Sequence, residues 1–372
     1  MNTNSNLLSA ESVRHSRLDR ESSTSHSRLR LRESSTPNQP LLFSGSIQNI
    51  INSRVIHLLV LIIIAVYFSS LQATRYAGEL FNLSPGVSNQ AMGNTGLTNP
   101  AGLSAAWWNP ALLAIQQDPG VELSYSQHFE GLLVQNQISV LLGKKARNAI
   151  IINHIGIDDI KLTRLENEND PVLSNDNRPI VWKKVANNDL VLLAGFAREL
   201  KPRLYLGLAP KLVYRSLAEN DGYGFGADLG MLWYSPQGLS LAANVRDFFS
   251  TQIFWENGTH ETVYPALDLE TGYRFHPIGK SRPVELFLRS HILSEDREEA
   301  ASSSFGIFSV DYHAGLGLTV IPQLKVMAGY DIDTITAGLG LALGRIKLDY
   351  AYKAAPEDGL GSSQRMSLGF NW

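Results

Sequence analysis

Apolar and polar residues alternate with a period of two through most of the chain beyond Val121. In GLSLAANVRDF, Leu239, Leu241 and Val245 share one face, and small or polar residues share the other. RLYLGLAPKLVYR and RIKLDYAYK show the same alternation. Successive side chains of a β-strand point to opposite faces, so the pattern predicts half-buried strands. Soluble sandwiches and membrane barrels both have such strands.

The number and the length of these segments favour a barrel. Most run about 9–11 residues, the length of a tilted strand that crosses a bilayer. Fourteen segments carry the pattern, near 121–127, 133–142, 148–157, 189–199, 203–215, 223–234, 238–247, 265–275, 283–292, 305–319, 323–331, 335–343, 345–353 and 364–372. An even strand number is typical of bacterial outer-membrane barrels. The sequence therefore predicts an all-β fold, a transmembrane antiparallel β-barrel of about 14 strands over residues 121–372.

The connections between the segments alternate in length. KKAR, KP, SPQ and IPQ are short, whereas residues 158–188 and 248–264 are long and polar. Short periplasmic turns that alternate with longer external loops are typical of barrels. We therefore predict that 158–188 and 248–264 are external loops. The last strand must pair with the first, because hydrocarbon offers no partner to unpaired backbone amides.

The chain ends in RMSLGFNW, an alternating strand that stops on tryptophan. Met366, Leu368, Phe370 and Trp372 form one face, which we expect to contact outer-membrane lipid. Trp372 would lie at the periplasmic interface, where aromatic residues concentrate. Such a terminal aromatic strand resembles the signal that the barrel assembly machinery reads, and we expect that machinery as a partner.

Three segments precede the predicted barrel. Residues 1–53 are rich in Ser and Arg and lack an apolar period, so they are either disordered or upstream of the true start. Residues 54–73 combine Arg54, an apolar run over 58–68 and small residues before Ala73. This is typical of a secretory signal peptide, with a buried or anchoring helix as the alternative. Residues 74–120 are rich in Gly, Ala and Asn, and we predict either a loop packed on the barrel or a plug in its lumen.

A motif in this third segment resembles a known family. AMGN at 91–94 leads on to WWNPALLA at 107–114, and this is similar to the N-terminal signature of the PorV/PorQ family. The family's Arg and first Leu are absent, and TGLTNPAGLSAA replaces its acidic stretch. The matching residues are Gly86, Met92, Gly93, Trp108, Asn109, Pro110 and Ala111, and Trp107 beside them is a candidate packing anchor.

The resemblance implies a fourteen-stranded barrel close in fold to the fatty-acid transporter FadL, with the N-terminal segment inside or beneath it. Some PorV/PorQ members act in type IX secretion by shuttling or attaching cargo. FadL relatives carry hydrophobic small molecules through a lateral opening. Both roles follow from the resemblance and not from composition or spacing.

Composition and charge narrow the chemistry. The chain has no cysteine, which excludes disulfide scaffolds and cysteine nucleophiles, and its net charge of −3 argues against a nucleic-acid partner. The nine histidines are scattered, and no HExxH, G-x-S-x-G or P-loop occurs. Asp331 and Asp333 lie at a predicted external loop, and His313 lies mid-strand after Asp311. Paired acids on a loop are more typical of solvated or calcium-binding groups than of a catalytic set. We predict no enzyme activity and no catalytic, cofactor or metal site.

Charged residues recur on the face opposite the apolar one. Because buried charges must be paired, we predict ion pairs in the lumen. The candidates are Lys211, Arg215, Arg246, Glu285, Arg289, Arg345, Lys347, Asp349 and Lys353. Gly222, Gly224 and Gly226 recur every second residue and indicate a smooth wall beside a plug or a tight bend.

Two hypotheses for function follow. In the first, external loops 158–188 and 248–264 dock secretion-system or cargo proteins. In the alternative, the chain is a FadL-like transporter of hydrophobic small molecules across the outer membrane, with the N-terminal segment lining the route. A lateral gap beside an apolar pocket would favour transport, and a charge-sealed lumen with ordered protruding loops would favour docking.

Overall fold

The computed structural model describes residues 78–116, 118–143, 148–277, 279–295, 297, 301–356 and 361–372. The predicted extension 1–53 and signal peptide 54–73 lie outside these residues. One sheet contains all the strands. They are β1 Gly120–His128, β2 Leu133–Leu142, β3 Asn148–Leu165, β4 Pro179–Lys201, β5 Leu204–Leu217, β6 Asn220–Tyr234, β7 Leu239–Arg246, β8 Thr251–Trp255, β9 His260–Val263, β10 Ala266–Phe275, β11 Val284–Leu293, β12 Ser303–Phe305, β13 Phe308–Ile321, β14 Leu324–Asp331, β15 Thr334–Leu343, β16 Ile346–Lys353 and β17 Ser363–Asn371.

The sheet closes on itself as an antiparallel barrel. Strand β1 pairs with both β2 and β17, so Gly120 lies opposite Leu141 on one side and Asn371 on the other. Fourteen strands form this wall. The other three are additions: the β8–β9 hairpin pairs with the outer part of β6, and β12 pairs with β13. The predicted fourteen-stranded barrel is confirmed.

The predicted external loop 158–188 is wrong in most of its length. Strands β3 and β4 continue as a hairpin beyond the ends of their neighbours, and their pairing extends to Leu165 opposite Pro179. A cross-strand ion pair joins Lys184 and Asp159 at 3.0 Å. The density of charge suggested a loop, but apolar residues still alternate with the charged ones and support strands.

The prediction for 248–264 also needs correction. This segment is mostly the β8–β9 hairpin, in which the rings of Phe254 and His260 stack 4.5 Å apart. Gly222, Gly224 and Gly226 lie beside this hairpin. A methyl group on each would meet Trp255, Ile253 or Thr251. The glycines therefore make room for a neighbouring strand.

The barrel has an apolar exterior and a polar interior. Leu212 and Leu288 are exposed on the outer face, whereas Gln137 and Asp268 are buried on the inner face. The predicted apolar face of the C-terminal strand lies outside and is 41–55% exposed. It consists of Met366, Leu368, Phe370 and Trp372. A closed sheet of this kind has no unpaired edge in hydrocarbon and is the architecture of Gram-negative outer-membrane proteins, which places the chain in that membrane. We call the end with the short turns periplasmic and the opposite end external.

The helices are short. They are α1 Glu79–Asn82, α2 Val87–Ala91, α3 Ala105–Trp108, and the 3-10 helices Pro110–Ala114 and Phe129–Gly131. Asn109 caps the first 3-10 helix by accepting a hydrogen bond from the Ala111 amide at 3.0 Å, and Pro110 occupies the first position, where no amide hydrogen is needed. No helix among the described residues is long and apolar enough to span a membrane.

Candidate functional site

Residues 78–116, which we call the N-terminal segment, contact the inner face of the barrel around its circumference. At the external end, Gly78 packs against Val263 of β9. Near the periplasmic end, the Leu103 amide donates to Glu122 of β1 at 3.2 Å. Between these points, the Gly93 amide donates to Thr336 of β15 at 3.0 Å. The segment therefore runs through the lumen from the external to the periplasmic end.

Glycines of the wall allow the backbone of the segment to approach closely. A methyl group on Gly207 of β5 would lie 2.2 Å from the Ala111 amide nitrogen, and one on Gly329 of β14 would lie 2.1 Å from the Gly93 nitrogen. Gly195 of β4 likewise leaves space for the side chain of Leu113. No other residue type fits at such contacts without moving the backbone.

An apolar cluster anchors the segment to one side of the barrel. Trp108 is fully buried, and its indole Nε1 donates to the Pro85 carbonyl at 2.7 Å. Trp107 and Leu112 belong to the same cluster, together with Leu193 on the inner face of β4. Met92 lies in a second cluster on the opposite wall. Burial of large side chains of this kind stabilises the segment by roughly 1.5–3 kcal/mol each.

Buried carboxylates of the wall hold the backbone amides of the segment. Glu270 of β10 accepts hydrogen bonds from the Gly96 amide at 2.7 Å, the Thr98 amide at 2.9 Å and the Thr98 hydroxyl at 2.7 Å. Glu285 of β11 accepts one from the Asn99 side chain at 2.9 Å. Hydrogen bonds to a charged acceptor are about twice as strong as neutral ones. These acids therefore fix the middle of the segment against one wall.

We predict that Glu270→Gln loosens the segment around Thr98. The amide side chain keeps the shape but replaces a charged acceptor by a neutral one, which costs on the order of 1–3 kcal/mol locally. Hydrogen exchange of the Gly96 and Thr98 amides should become faster by about fivefold or more, while exchange in β10 stays slow. Glu199→Gln, at an exposed position on β4, is the matched control and should leave both rates unchanged.

The lumenal charges are paired, largely as predicted. Lys211 lies 2.9 Å from Asp228 and 2.7 Å from Asp247, and all three are buried. Partners are likewise found for Arg215, Arg246, Glu285, Arg289, Lys347, Asp349 and Lys353. Arg345 was wrongly assigned to the lumen: it lies exposed in the turn between β15 and β16, because the alternation runs on into that turn.

Of the two acids considered for catalysis, Asp331 belongs to this network, whereas Asp333 is exposed in the turn after β14. Asp331 lies 2.8 Å from His313 Nδ1 and 2.5 Å from Lys353, and it accepts a hydrogen bond from Asn94 of the segment at 2.7 Å. Asp333 accepts from the Thr334 hydroxyl. In the part of the chain that the structure describes, no group of three or more acidic or histidine side chains is placed to hold a metal ion.

The hydrogen-bond ladder between β4 and β5 is interrupted at one place in the wall, which we call the broken rung. The register pairs Leu193 with Lys211 and Phe196 with Leu208, but the two residue pairs between them are not bridged. The cause is Pro210, which has no amide hydrogen and cannot donate to β4. Its ring faces outward, and Gly195, two residues beyond Leu193, contacts the apolar cluster of the segment on the inside.

Comparison with known proteins finds likeness at the level of structure. No family model and no curated protein matches the chain. Among solved structures, a deltaS2 mutant of the TodX monoaromatic hydrocarbon channel aligns with a TM-score of 0.50 at 11% identity, over 77% of this chain and 98% of TodX. The chain has the fold of this channel.

Two other solved structures align less closely. The toluene transporter TbuX of Ralstonia pickettii has a TM-score of 0.47 at 13% identity, over 78% of this chain and 98% of TbuX. A FadL homologue of Pseudomonas aeruginosa has a TM-score of 0.46 at 11% identity, over 77% of this chain and 98% of its own. The PorV/PorQ resemblance rests on its motif residues alone.

Those motif residues all belong to the N-terminal segment, but Met92 contacts one wall of the barrel, whereas Trp107, Trp108 and Ala111 contact the opposite wall. Met92, Trp107, Trp108, Asn109 and Ala111 are buried. Gly86 and Gly93 have positive φ angles of 108° and 66°, and Pro110 begins the 3-10 helix against Gly207. Sequence reasoning missed the broken rung, although a proline inside an alternating strand pattern is the signal that identifies it.

Proposed function

We propose that this chain is a non-enzymatic outer-membrane channel for hydrophobic small molecules, and that the N-terminal segment is its plug. Two observations support the proposal. The fold is shared with a protein described as a monoaromatic hydrocarbon channel. In addition, the wall has its broken rung at Pro210, where an apolar cluster lies on the inside and lipid on the outside.

Apolar side chains surround the broken rung on its inner side. On the inner side, Ala106 and Leu113 of the segment pack against Gly195, so apolar side chains cover the wall at this point. A hydrophobic solute that reaches this cluster can pass through the weakened wall into the bilayer. It then does not cross the part of the lumen that the paired charges fill, where an apolar solute would have to displace the partners of buried ions.

A docking role is the second candidate. The ordered β3–β4 hairpin extends beyond its neighbours, and the lumenal charges are paired, both of which fit docking. Paired charges fit equally a solute that leaves through the wall. The hairpin alone indicates no partner, so transport is the better supported function.

The test is to restore the missing hydrogen bond. Pro210→Ala regains an amide donor to β4, worth on the order of 1 kcal/mol, and should lower the rate of uptake about fivefold. Uptake of radiolabelled toluene is measured in cells that lack other hydrocarbon channels. Leu212→Ala, on the same outer face of β5, leaves the rung pattern unchanged and should take up toluene as the wild type does.

Each outcome bears on the proposal. If the wild type takes up toluene and Pro210→Ala takes it up at the same rate, the solute does not leave through this wall. If wild-type cells take up toluene no faster than cells without the protein, and the same holds for longer hydrocarbons, the transport proposal is wrong.

A further inference from the structure

The periplasmic turn between β4 and β5 carries cations on the lipid-facing side of the barrel. Lys201 lies opposite Leu204, which in turn lies opposite Trp233 of β6. Trp233 is exposed on the outer face. Residues that lie directly opposite each other in an antiparallel pair share a face, so Lys201 is on the lipid side. Arg198 lies opposite Leu206, two residues beyond Leu204, and is therefore on the same side.

The acid of this turn lies on the other side of the wall. Glu199 is opposite Tyr205, and Tyr205 is opposite Leu232, which is fully buried on the inner face. The Glu199 carboxylate accepts a hydrogen bond from the Arg203 amide at 3.3 Å, so it holds the backbone of the turn. The strand itself thus separates the negative charge of the turn from its outward cations.

The cations have no ionic partner within the protein. Arg198, Lys201 and Arg203 are exposed, and in the part of the chain that the structure describes none of them forms an ion pair. On the lipid face of a barrel, Lys and Arg are tolerated near the membrane interface, where a long side chain carries its charge to the headgroups. These groups are therefore free to contact a partner outside the barrel.

Aromatic residues of β6 show where the turn lies in the bilayer. Trp233 is the last outward residue of this strand before the periplasmic turn, and Tyr223 lies on the same face near the external end. For a strand tilted by about 45°, the stretch between them spans about 24 Å across the membrane. Outer-membrane barrels present an apolar band of about 25 Å to lipid, with aromatic residues at both edges. Trp233 therefore marks the periplasmic interface, and Lys201 lies at the headgroups of the inner leaflet.

We propose that the outward cations of the β4–β5 turn bind the phosphate of an anionic phospholipid of the inner leaflet, such as phosphatidylglycerol. The planar guanidinium of Arg198 matches two phosphate oxygens, and Lys201 adds a second positive charge. A phospholipid fits better than a free anion because apolar surface adjoins the cations. Phe196 and Leu208 lie opposite each other just beyond Arg198 and are 49% and 41% exposed on the outer face.

The acyl chains of a lipid bound here lie over the broken rung. Pro210 is two residues beyond Leu208 on the same outer face of β5. From Leu204 to Pro210 is about 20 Å along the tilted strand, which is about half of the hydrocarbon thickness. The chains of one leaflet therefore reach Pro210. The lipid site does not rest on solute transport, because the charge and the direction of the cations define it.

Quenching of Trp233 fluorescence by brominated lipid tests the proposal at the site itself. The full-length protein is placed in phosphatidylcholine vesicles that contain a minor fraction of brominated phosphatidylglycerol or of brominated phosphatidylcholine. The Trp233 signal is the difference between the wild type and Trp233→Phe. Two cations at a membrane surface favour an anionic headgroup by about tenfold or more. Brominated phosphatidylglycerol should therefore quench this signal several times more strongly than brominated phosphatidylcholine.

The double variant Arg198→Gln, Lys201→Gln should lose this preference, so that the two brominated lipids quench Trp233 alike. The matched control is Lys161→Gln, Lys184→Gln. It removes two exposed cations that lie opposite each other on the external β3–β4 hairpin, and it should keep the preference. Migration as a folded barrel on unheated gels shows that each variant is folded.

The wild-type comparison alone can overturn the proposal, since equal quenching by the two lipids means that no anionic lipid is selected there. A preference that a folded Arg198→Gln, Lys201→Gln variant retains would also overturn it. If millimolar inorganic phosphate abolishes the preference, the turn binds a free anion and the assignment to a lipid is wrong. Toluene uptake plays no part in this experiment, so this proposal and the transport proposal fail separately.

Discussion

Gly207→Ala should displace the N-terminal segment and open the barrel to ions. The added methyl group would lie 2.2 Å from the Ala111 nitrogen and 2.2 Å from the Pro110 carbonyl carbon, both backbone atoms that cannot rotate away. Overpacking of this kind costs about 1–3 kcal/mol even where side chains can adjust. We therefore expect the segment to leave this wall while β5 itself still pairs with β4 and β6.

Planar bilayers measure the effect directly. The wild type, with the segment in its lumen, should show little ion conductance, and Gly207→Ala should show large, sustained openings. Gly369→Ala is the matched control: it adds the same methyl group to an inward-facing glycine of β17, where the nearest atom lies 3.6 Å away. Its conductance should equal that of the wild type. Equal conductance and equal Tm for Gly207→Ala and the wild type would mean that the segment does not close the lumen.

Deletion of residues 370–372 should block assembly of the barrel. Phe370 lies opposite Val121 on one side and Ile346 on the other, and the Trp372 amide donates to the Pro119 carbonyl at 3.1 Å. Without these contacts the periplasmic end of the β1–β17 junction loses its pairs. An open edge in hydrocarbon leaves backbone groups unsatisfied, at several kcal/mol for each. The truncated chain should be absent from the outer membrane and be degraded.

The double variant Phe370→Leu, Trp372→Leu separates two reasons for this loss. It keeps the backbone pairs and removes only the aromatic rings, so it should fold into lipid vesicles as the wild type does. In cells it should assemble poorly if the assembly machinery reads the aromatic face. The measurement is the fraction that migrates as a folded barrel on unheated gels. Normal membrane insertion of the truncated chain would refute the role assigned to this strand.

The strands could be predicted from sequence because each has its own local signal. Alternation with a period of two located all fourteen wall strands, and most of their ends lie within three residues of the structure. The failures have local causes as well. Dense charge hid the extension of β3 and β4, and the turn at Gly344 continued the alternation, so Arg345 was assigned to the lumen.

The arrangement of the N-terminal segment could not be predicted in the same way. Its composition permits short helices and turns, but its position depends on contacts that are distant in sequence. The Asp331 partner of Asn94 is 237 residues away, and the Glu270 partner of Gly96 is 174 residues away. The contacts of Asp268 with Arg246 and Arg289 likewise depend on β7, β10 and β11 lying side by side, which no short motif records.

The distances in sequence between the N-terminal segment and its partners also constrain the time course of folding. Gly93 bonds to Thr336, which lies 243 residues later in the chain, and Ser84 bonds to Arg365, which lies 281 residues later. Contacts of such high sequence separation form late and slowly. Pairing of β17 with β1 then closes the barrel around the N-terminal segment. The part of the barrel domain that is synthesised first is thus among the last to reach its native contacts, and it must be in place at about the moment of closure.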